Sequence, residues 1–290
     1  MMRRTSVSLG EDTGLLRARI EETLEEVLAS DDPRESRLVE AMRYSVLGGG
    51  KRIRPILCLA AYRAVGGIGE DAIPAAAALE LIHAYSLVHD DLPCMDDDSL
   101  RRGKPTTHKA YGEGMAVLVG DALLTLAFEL LGTVPDDSPV PAERRLDVLR
   151  KIAKAAGVRG MIGGQVGDLE ALDDPLNADL IEYVHAHKTG ALIAVSVWAG
   201  ARLGTDDPDA LARLGRFGER IGFAFQIVDD ILDHAERPEE PANYAACHGV
   251  AAARERAQSL IKDAKEDLEP FGGQASLLRD LADFVLARTH

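Results

Sequence analysis

Asp90-Asp91-Leu92-Pro93-Cys94-Met95-Asp96-Asp97-Asp98 places five carboxylates within nine residues, and repulsion among them calls for a cation. The run closes a helix-period segment over 71–92, so its charge also opposes the negative end of that helix dipole. Hard oxygen ligands of this kind suit Mg2+, which keeps waters and shares itself with phosphate oxygens. Two other readings stay open on this run alone, a solvated acidic turn and a Ca2+ loop. An EF-hand loop would need a Gly and a closing Glu that are missing here.

Asp229-Asp230-Ile231-Leu232-Asp233 is a second cluster, set inside an uninterrupted helical segment. Asp229 and Asp233 stand one turn apart on one face, and Gln226 lies one turn earlier on the same stripe. Ile221, Phe223, Phe225, Ile227 and Val228 around them are apolar, which a solvated acidic face would not usually be. Two such clusters, each ending an apolar helix, could clamp a metal–diphosphate between them.

Cations are placed to match. Gly48-Gly49-Gly50-Lys51-Arg52-Ile53-Arg54-Pro55 is a glycine-rich turn with three basic residues ahead of a helix, and Leu100-Arg101-Arg102-Gly103-Lys104-Pro105 follows the first acid run. Glycine lets backbone N–H groups approach an anion, and arginine adds directed donors. The two arginines could equally serve only to neutralise the aspartates. His83 precedes Asp90 by seven residues, nearly two turns, so the two share a face. His185, Lys188 and Thr189 form a polar stripe on an otherwise apolar helix, where a lysine needs a partner such as a diphosphate.

The elements that must carry these groups read as helices throughout, near 13–29, 35–47, 54–65, 71–92, 114–132, 143–156, 158–171, 177–201, 208–234, 246–268 and 274–288. No convincing strand interrupts them. Breaks fall at Asp31-Asp32-Pro33, Gly48-Gly49-Gly50, Gly66-Gly67, Val134-Pro135-Asp136-Asp137 and Asp206-Asp207-Pro208. No Ser/Gly/Pro-rich linker and no fixed repeat divides the chain, so a single all-α domain over 1–290 is expected, with 1–12 flexible. Segments 114–132 and 191–201 are apolar nearly all round and belong inside a large bundle.

Composition narrows the function. Hydrophobic residues make up 46% of the chain and aromatics 4%, a profile of helices rather than a β-sandwich. The formal charge of −15 argues against nucleic acid as a partner, since that binding depends on Lys and Arg neutralising phosphates. Cys58, Cys94 and Cys247 are too scattered for a disulfide framework or a zinc knuckle and fit a reducing compartment. No apolar run reaches the roughly 18 residues of a membrane span. The N-terminus carries no secretory pattern, and a cytoplasmic protein is expected.

Taken in order, GGKRIRP, HAYSLVHDDLPCMDDDSLRRGKPTTH, GDALL, GGQVGDLE, HKTGALI and FQIVDDILD resemble the trans-isoprenyl diphosphate synthases, the farnesyl and geranylgeranyl diphosphate synthases. The resemblance runs from Tyr44 to the C-terminus. It implies an all-α bundle around a deep central cavity, a homodimer, and Mg2+-dependent condensation of isopentenyl diphosphate with an allylic diphosphate. Lys51, Arg54, His83 and Arg102 would match the isopentenyl diphosphate site. Asp90, Asp96 and Asp229 would hold Mg2+ against the allylic diphosphate, with Asp91, Asp230 and Asp233 in the same motifs. Arg101 and Lys188 would contact that diphosphate, and oxygens of Lys188, Thr189 and Gln226 would face the carbocation.

One departure stands out. After its second aspartate motif the family has a longer loop with lysines, approximately G-K…G-x-D…K-x-T-Y-P. Here Asp233 is followed by HAERPEEPANYAACHGVAAARERA, which has no lysine, carries Glu236, Glu239 and Glu240, and has Ala245 where the family has Pro after Tyr. A cation contact is therefore expected to be missing. Tyr85 and Ser86 lie five and four residues before Asp90, where a bulky side chain could floor the product pocket; an aromatic there with Pro93 and Cys94 inside the motif resembles bacterial farnesyl synthases, which implies a C15 product, with C20 as the alternative. A class I terpene cyclase would show Asn/Ser/Glu ligands in place of DDILD, and a phosphohydrolase using His89-Asp90 would leave the paired carboxylates unexplained. A catalytically silent partner subunit is the rival from another class.

Overall fold

Helix-forming Ala and Leu dominate the segments between Gly/Pro breaks, and the computed structural model resolves them into α-helices over almost all described residues, 10–133, 138–171, 177–236 and 243–288. In chain order they are α1 (Gly10–Val27), α2 (Ser36–Val46), α3 (Ile53–Ala64), α4 (Ile73–Asp90), α5 (Thr107–Tyr111), α6 (Glu113–Gly132), α7 (Ala142–Ala156), α8 (Met161–Ala171), α9 (Ala178–Val184), α10 (Ala191–Gly204), α11 (Pro208–Glu236), α12 (Tyr244–His248), α13 (Val250–Asp267) and α14 (Ser276–Ala287). The all-α expectation holds. Because α1 starts at Gly10, the expected flexible segment 1–12 is partly helical, and its first nine residues lie outside those described. The break at 134–137 lies outside them too.

Two helices sit at the centre. Along α4 the run Ala75-Ala76-Ala77-Ala78-Leu79-Glu80-Leu81-Ile82 is buried without interruption, and α10 is buried almost all round. Small alanines let neighbours approach closely: α6 packs on α4, α3 on α10, and α10 and α13 on α11. Leu79, Leu81 and Ile82 are fully buried, each worth about 1.5–3 kcal/mol of transfer free energy. One continuous hydrophobic cluster runs from Leu16 in α1 to Val285 in α14.

Four local features depart from the sequence reading. The segment expected as one helix over 177–201 contains a π-helical turn, His185–Gly190, between α9 and α10. Gly164 of α8 explains the contact made there, since a Cβ on it would collide with the backbone of Lys188. The segment expected as one helix over 246–268 is split at Gly249, whose φ of 84° ends α12 before α13 begins. Leu100–Arg101 pairs antiparallel with Lys104–Pro105, and the intervening Arg102 and Gly103 both have positive φ, as a two-residue hairpin requires. Finally, among the described residues one helix, α6, is long and apolar enough to cross a membrane by length and composition, contrary to expectation. Its few acids, Glu113, Asp121 and Glu129, interrupt the run without lowering its mean hydropathy below 1.8.

Candidate active site

Pro93 ends α4 and throws the acid run into a tight loop, closed by Asp96 N–H donating to the Asp90 carbonyl (2.9 Å) and Met95 N–H to Leu92 (2.9 Å). The loop sorts the five carboxylates. Asp90 lines the larger cavity, and burial pushes its carboxyl up to about 6; Asp96, on the exposed part of the loop, is also raised, first by desolvation. Asp91, expected alongside them, is buried and turned the other way, where it accepts from Arg101 Nε at 2.7 Å. Asp97 faces Lys109 (3.3 Å). Arg101 is thus held by Asp91, while Arg102 is not consumed by the aspartates: it reaches the Gly49 carbonyl and packs over Gly50, where a Cβ would press on its guanidinium.

On α11 the second cluster divides the same way. Asp229 is raised to about 6, first by burial, with Asp233 and Asp230 adding repulsion and Arg288 opposing it. Asp230 turns into the protein: it meets His185 Nε2 at 3.0 Å and accepts from Tyr244 N–H at 2.6 Å and Gln226 Nε2 at 3.2 Å. These contacts tie α12 to α11 across the shortened loop, whose Glu239 and Glu240 lie outside the described residues. Gln226, expected to face the carbocation, and His185, read as part of a polar stripe, are both engaged with Asp230. The second cluster does have a cation beside it, from outside the loop. Arg288, just beyond α14, lies 2.7 Å from Asp229 and 4.1 Å over the Phe225 ring.

Two cavities meet at Arg54 and His83. The larger, about 640 Å³, descends along α4, α6 and α8 with Asp90, Lys188 and Thr189 towards its top and Tyr85, Ser86, Leu124 and Met161 in its walls. Lys188 Nζ lies 2.6 Å from Asp168 Oδ2; burial alone would lower its pKa, but Asp168, Asp90 and Asp96 reverse the direction and keep it charged. The Tyr85 hydroxyl is buried without a partner, and its ring meets His89 edge-on. The second cavity, about 490 Å³, is lined by Lys51, Arg52, Arg54, Arg102 and Arg288, with Arg17 at its rim and Glu80 as the one carboxylate in its described lining. Arg54 and His83 line both cavities. Burial depresses Arg54 to about 10, and burial followed by repulsion from Arg54 and Arg102 drives His83 well below its usual range, so it stays neutral.

Among the described residues no three His, Cys, Asp or Glu side chains converge as a metal cage. The donor chemistry still fits Mg2+. Asp90 and Asp229 are hard carboxylates held against their preference in a part-buried setting, Asp96 is a third on the exposed loop with its carboxyl also raised, and Mg2+ commonly takes one or two carboxylates plus phosphate oxygens and water. Asp168 and Gln165 were quoted within GGQVGDLE but not singled out by the sequence reading. Asp168 now pairs with Lys188, and Gln165 lines the larger cavity with its buried Nε2 unpartnered. Arg288 carried no local signal, because nothing near it in sequence marks a site.

The polyprenyl synthetase family profile matches residues 35–245. A dimethylallyltranstransferase from Fischerella ambigua (strain UTEX 1903) is 44% identical over 288 residues, covering 94% of this chain and 82% of its own. The farnesyl diphosphate synthase of Geobacillus stearothermophilus is 42% identical, covering 88% and 90%. Among solved structures, an apo FPP/GFPP synthase from Zymomonas mobilis superposes with a TM-score of 0.89 at 40% identity, over 97% of this chain and 100% of that one. Agreement of this extent between profile, sequence and architecture admits one conclusion: the chain belongs to the polyprenyl synthetase family.

Proposed function

We infer that the protein is a short-chain prenyl diphosphate synthase that condenses isopentenyl diphosphate with an allylic diphosphate. The observation that carries this reading is the pair of cavities meeting at Arg54 and His83, one long and largely apolar with carboxylates at its mouth, the other basic. A hydrolase needs only one such site; a condensation needs two side by side.

In this reading Asp90, Asp96 and Asp229 would hold Mg2+, which would supply positive charge for the leaving diphosphate. Lys188 and Arg101 bind the same diphosphate, each aimed by a carboxylate behind it, Asp168 and Asp91. Lys51, Arg54, Arg102 and neutral His83 hold the second diphosphate, and Arg288 stands at the border of the two sites. As the allylic C–O bond breaks, oxygens of Lys188, Thr189 and Gln226 face the developing cation. The isopentenyl double bond forms the new C–C bond, and a proton leaves to the departing diphosphate. Holding both reactants in place supplies much of the acceleration.

Tyr85 and Ser86 set the chain length, and a C15 product is expected, with C20 the alternative. A homodimer and a cytoplasmic setting belong to the same reading, the latter supported by three unpaired cysteines. The test is incubation with Mg2+, isopentenyl diphosphate and, separately, dimethylallyl, geranyl and farnesyl diphosphates, followed by dephosphorylation and mass analysis. A prenyl alcohol establishes the transfer and its length the product. No product from folded protein with any primer defeats the reading in favour of a silent partner subunit.

A further inference from the structure

Glu80 poses a problem for the basic cavity: a carboxylate in a diphosphate site repels the ligand and competes for its cations. Its partner explains how it is tolerated. Arg52 lies 3% exposed between α1, α2 and α4, where its Nη1 donates to Glu80 at 2.7 Å. Its Nε and Nη2 donate to the two oxygens of Glu21 at 2.8 and 3.0 Å, and Nη2 also donates to the Val46 carbonyl at 2.7 Å. Reaching this position puts Arg52 in the left-handed region, φ 51° and ψ 37°, a conformation a non-glycine residue keeps only when its surroundings over-determine it. Lys51 precedes it and Arg54 follows by two residues, while His83 follows Glu80 by one turn of α4. The one ion pair therefore fixes both elements that carry the cavity's anion-binding groups. Arg54 and Arg102 both feel the charge of Glu80, and Arg54 keeps a buried Nε without any partner.

We propose that the Arg52–Glu80 pair is a charge-sparing and positioning device: Arg52 holds the Glu80 carboxylate, so that Arg54 and Arg102 remain available to the diphosphate of the non-allylic substrate. This rests on the proposed condensation and assigns Arg52 and Glu80 as positioning residues for one of its two substrates. In an Arg52→Met chain, Glu80 is released within reach of Arg54 and Arg102 and takes up the charge meant for the ligand. A merely structural role predicts something else, namely that losing the second partner as well makes matters no better.

The experiment measures KM for isopentenyl and for geranyl diphosphate in four proteins, with isopentenyl diphosphate binding by calorimetry and thermal melting as controls. Arg52→Met is expected to raise KM for isopentenyl diphosphate about tenfold or more while KM for geranyl diphosphate stays within about twofold, the size of losing one charged contact. Glu80→Gln alone leaves Arg52 on Glu21 and should stay within about threefold of wild type. Adding Glu80→Gln to Arg52→Met should recover most of the lost affinity. A double variant as weak as Arg52→Met, or an equal rise in both KM values, overturns the proposal. Should Arg52→Met fail to fold, Arg52→Gln, which also removes the charge facing Glu80, carries the same comparison, and Glu80→Gln must again lower its KM. Wild-type protein that neither binds isopentenyl diphosphate nor forms product sinks the reading of the cavity itself, which is distinguishable from wild-type binding without rescue.

Discussion

Asp90 and Asp229 are carboxylates that the fold keeps ionised against the cost of burial, each raised to about 6. Such groups are retained for what they bind rather than for stability. Asp90→Asn and Asp229→Asn are therefore expected to lower turnover by about 10²-fold or more, the scale of losing one preorganised electrostatic contact. Melting temperatures measured without divalent cation should stay level or rise, because the amide removes a buried charge. Normal turnover in both variants would remove the metal-clamp reading. Tyr85 makes a different kind of contribution: its buried hydroxyl has no partner and its ring edges onto His89, so its volume rather than its polarity matters. Tyr85→Ala should lengthen the product, with the C20 alcohol rising several-fold over C15 in mass analysis. An unchanged distribution would place the floor of the pocket elsewhere.

At the scale of elements, what was legible followed from local rules. Pro93 and the apolar run before it announced the end of α4, and the spacing of Asp229 and Asp233 announced a shared face on α11. Both clusters and most helix spans could be read because helical periodicity and helix-ending residues act within a few residues of chain. What the sequence could not supply was which carboxylate of each pair faces the cavity. Asp91 and Asp230 turn inward because Arg101, His185 and the Tyr244 backbone are brought to them by tertiary packing. The π-helical turn at His185–Gly190 was equally hidden, and it is met by the close approach of Gly164 from another helix. Arg288 is the largest such case. The missing lysine loop was visible, but the cation delivered by the end of α14 from 59 residues away was not. Arg288→Ala should leave the helices intact and reduce kcat/KM by about tenfold to a hundredfold, the range of a lost charge-assisted contact of roughly 1.5–3 kcal/mol. Steady-state kinetics with each diphosphate varied in turn would show it, and an unaltered value would make the Arg288–Asp229 pair a structural contact only.

The molecule as a whole has an unfinished side. Val117 and Leu118 of α6 are 42% and 54% exposed, and Ile162, Val166 and Leu169 of α8 are exposed beside them in the chain's middle third. Val117, Ile162, Val166 and Leu169 also line the larger cavity, so its wall on this side is apolar and accessible to water. A carbocation is poorly protected by a wall that water can reach. A second copy laid over α6 and α8 would close it, and an interface of about 800 Å² per partner is the usual size for a stable association. Leu118 does not line the cavity, which makes it the position to test. If two copies pair through this face, Leu118→Glu should lower the mass in light scattering after size exclusion from that of a dimer to that of a monomer, and should make melting depend on concentration where it dissociates. Ile68→Glu, at an apolar residue 87% exposed on a distant turn, is the control and should keep the wild-type mass. If Leu118→Glu also keeps that mass, the α6–α8 face is not where two copies meet, and the cavity must be closed from within its own chain.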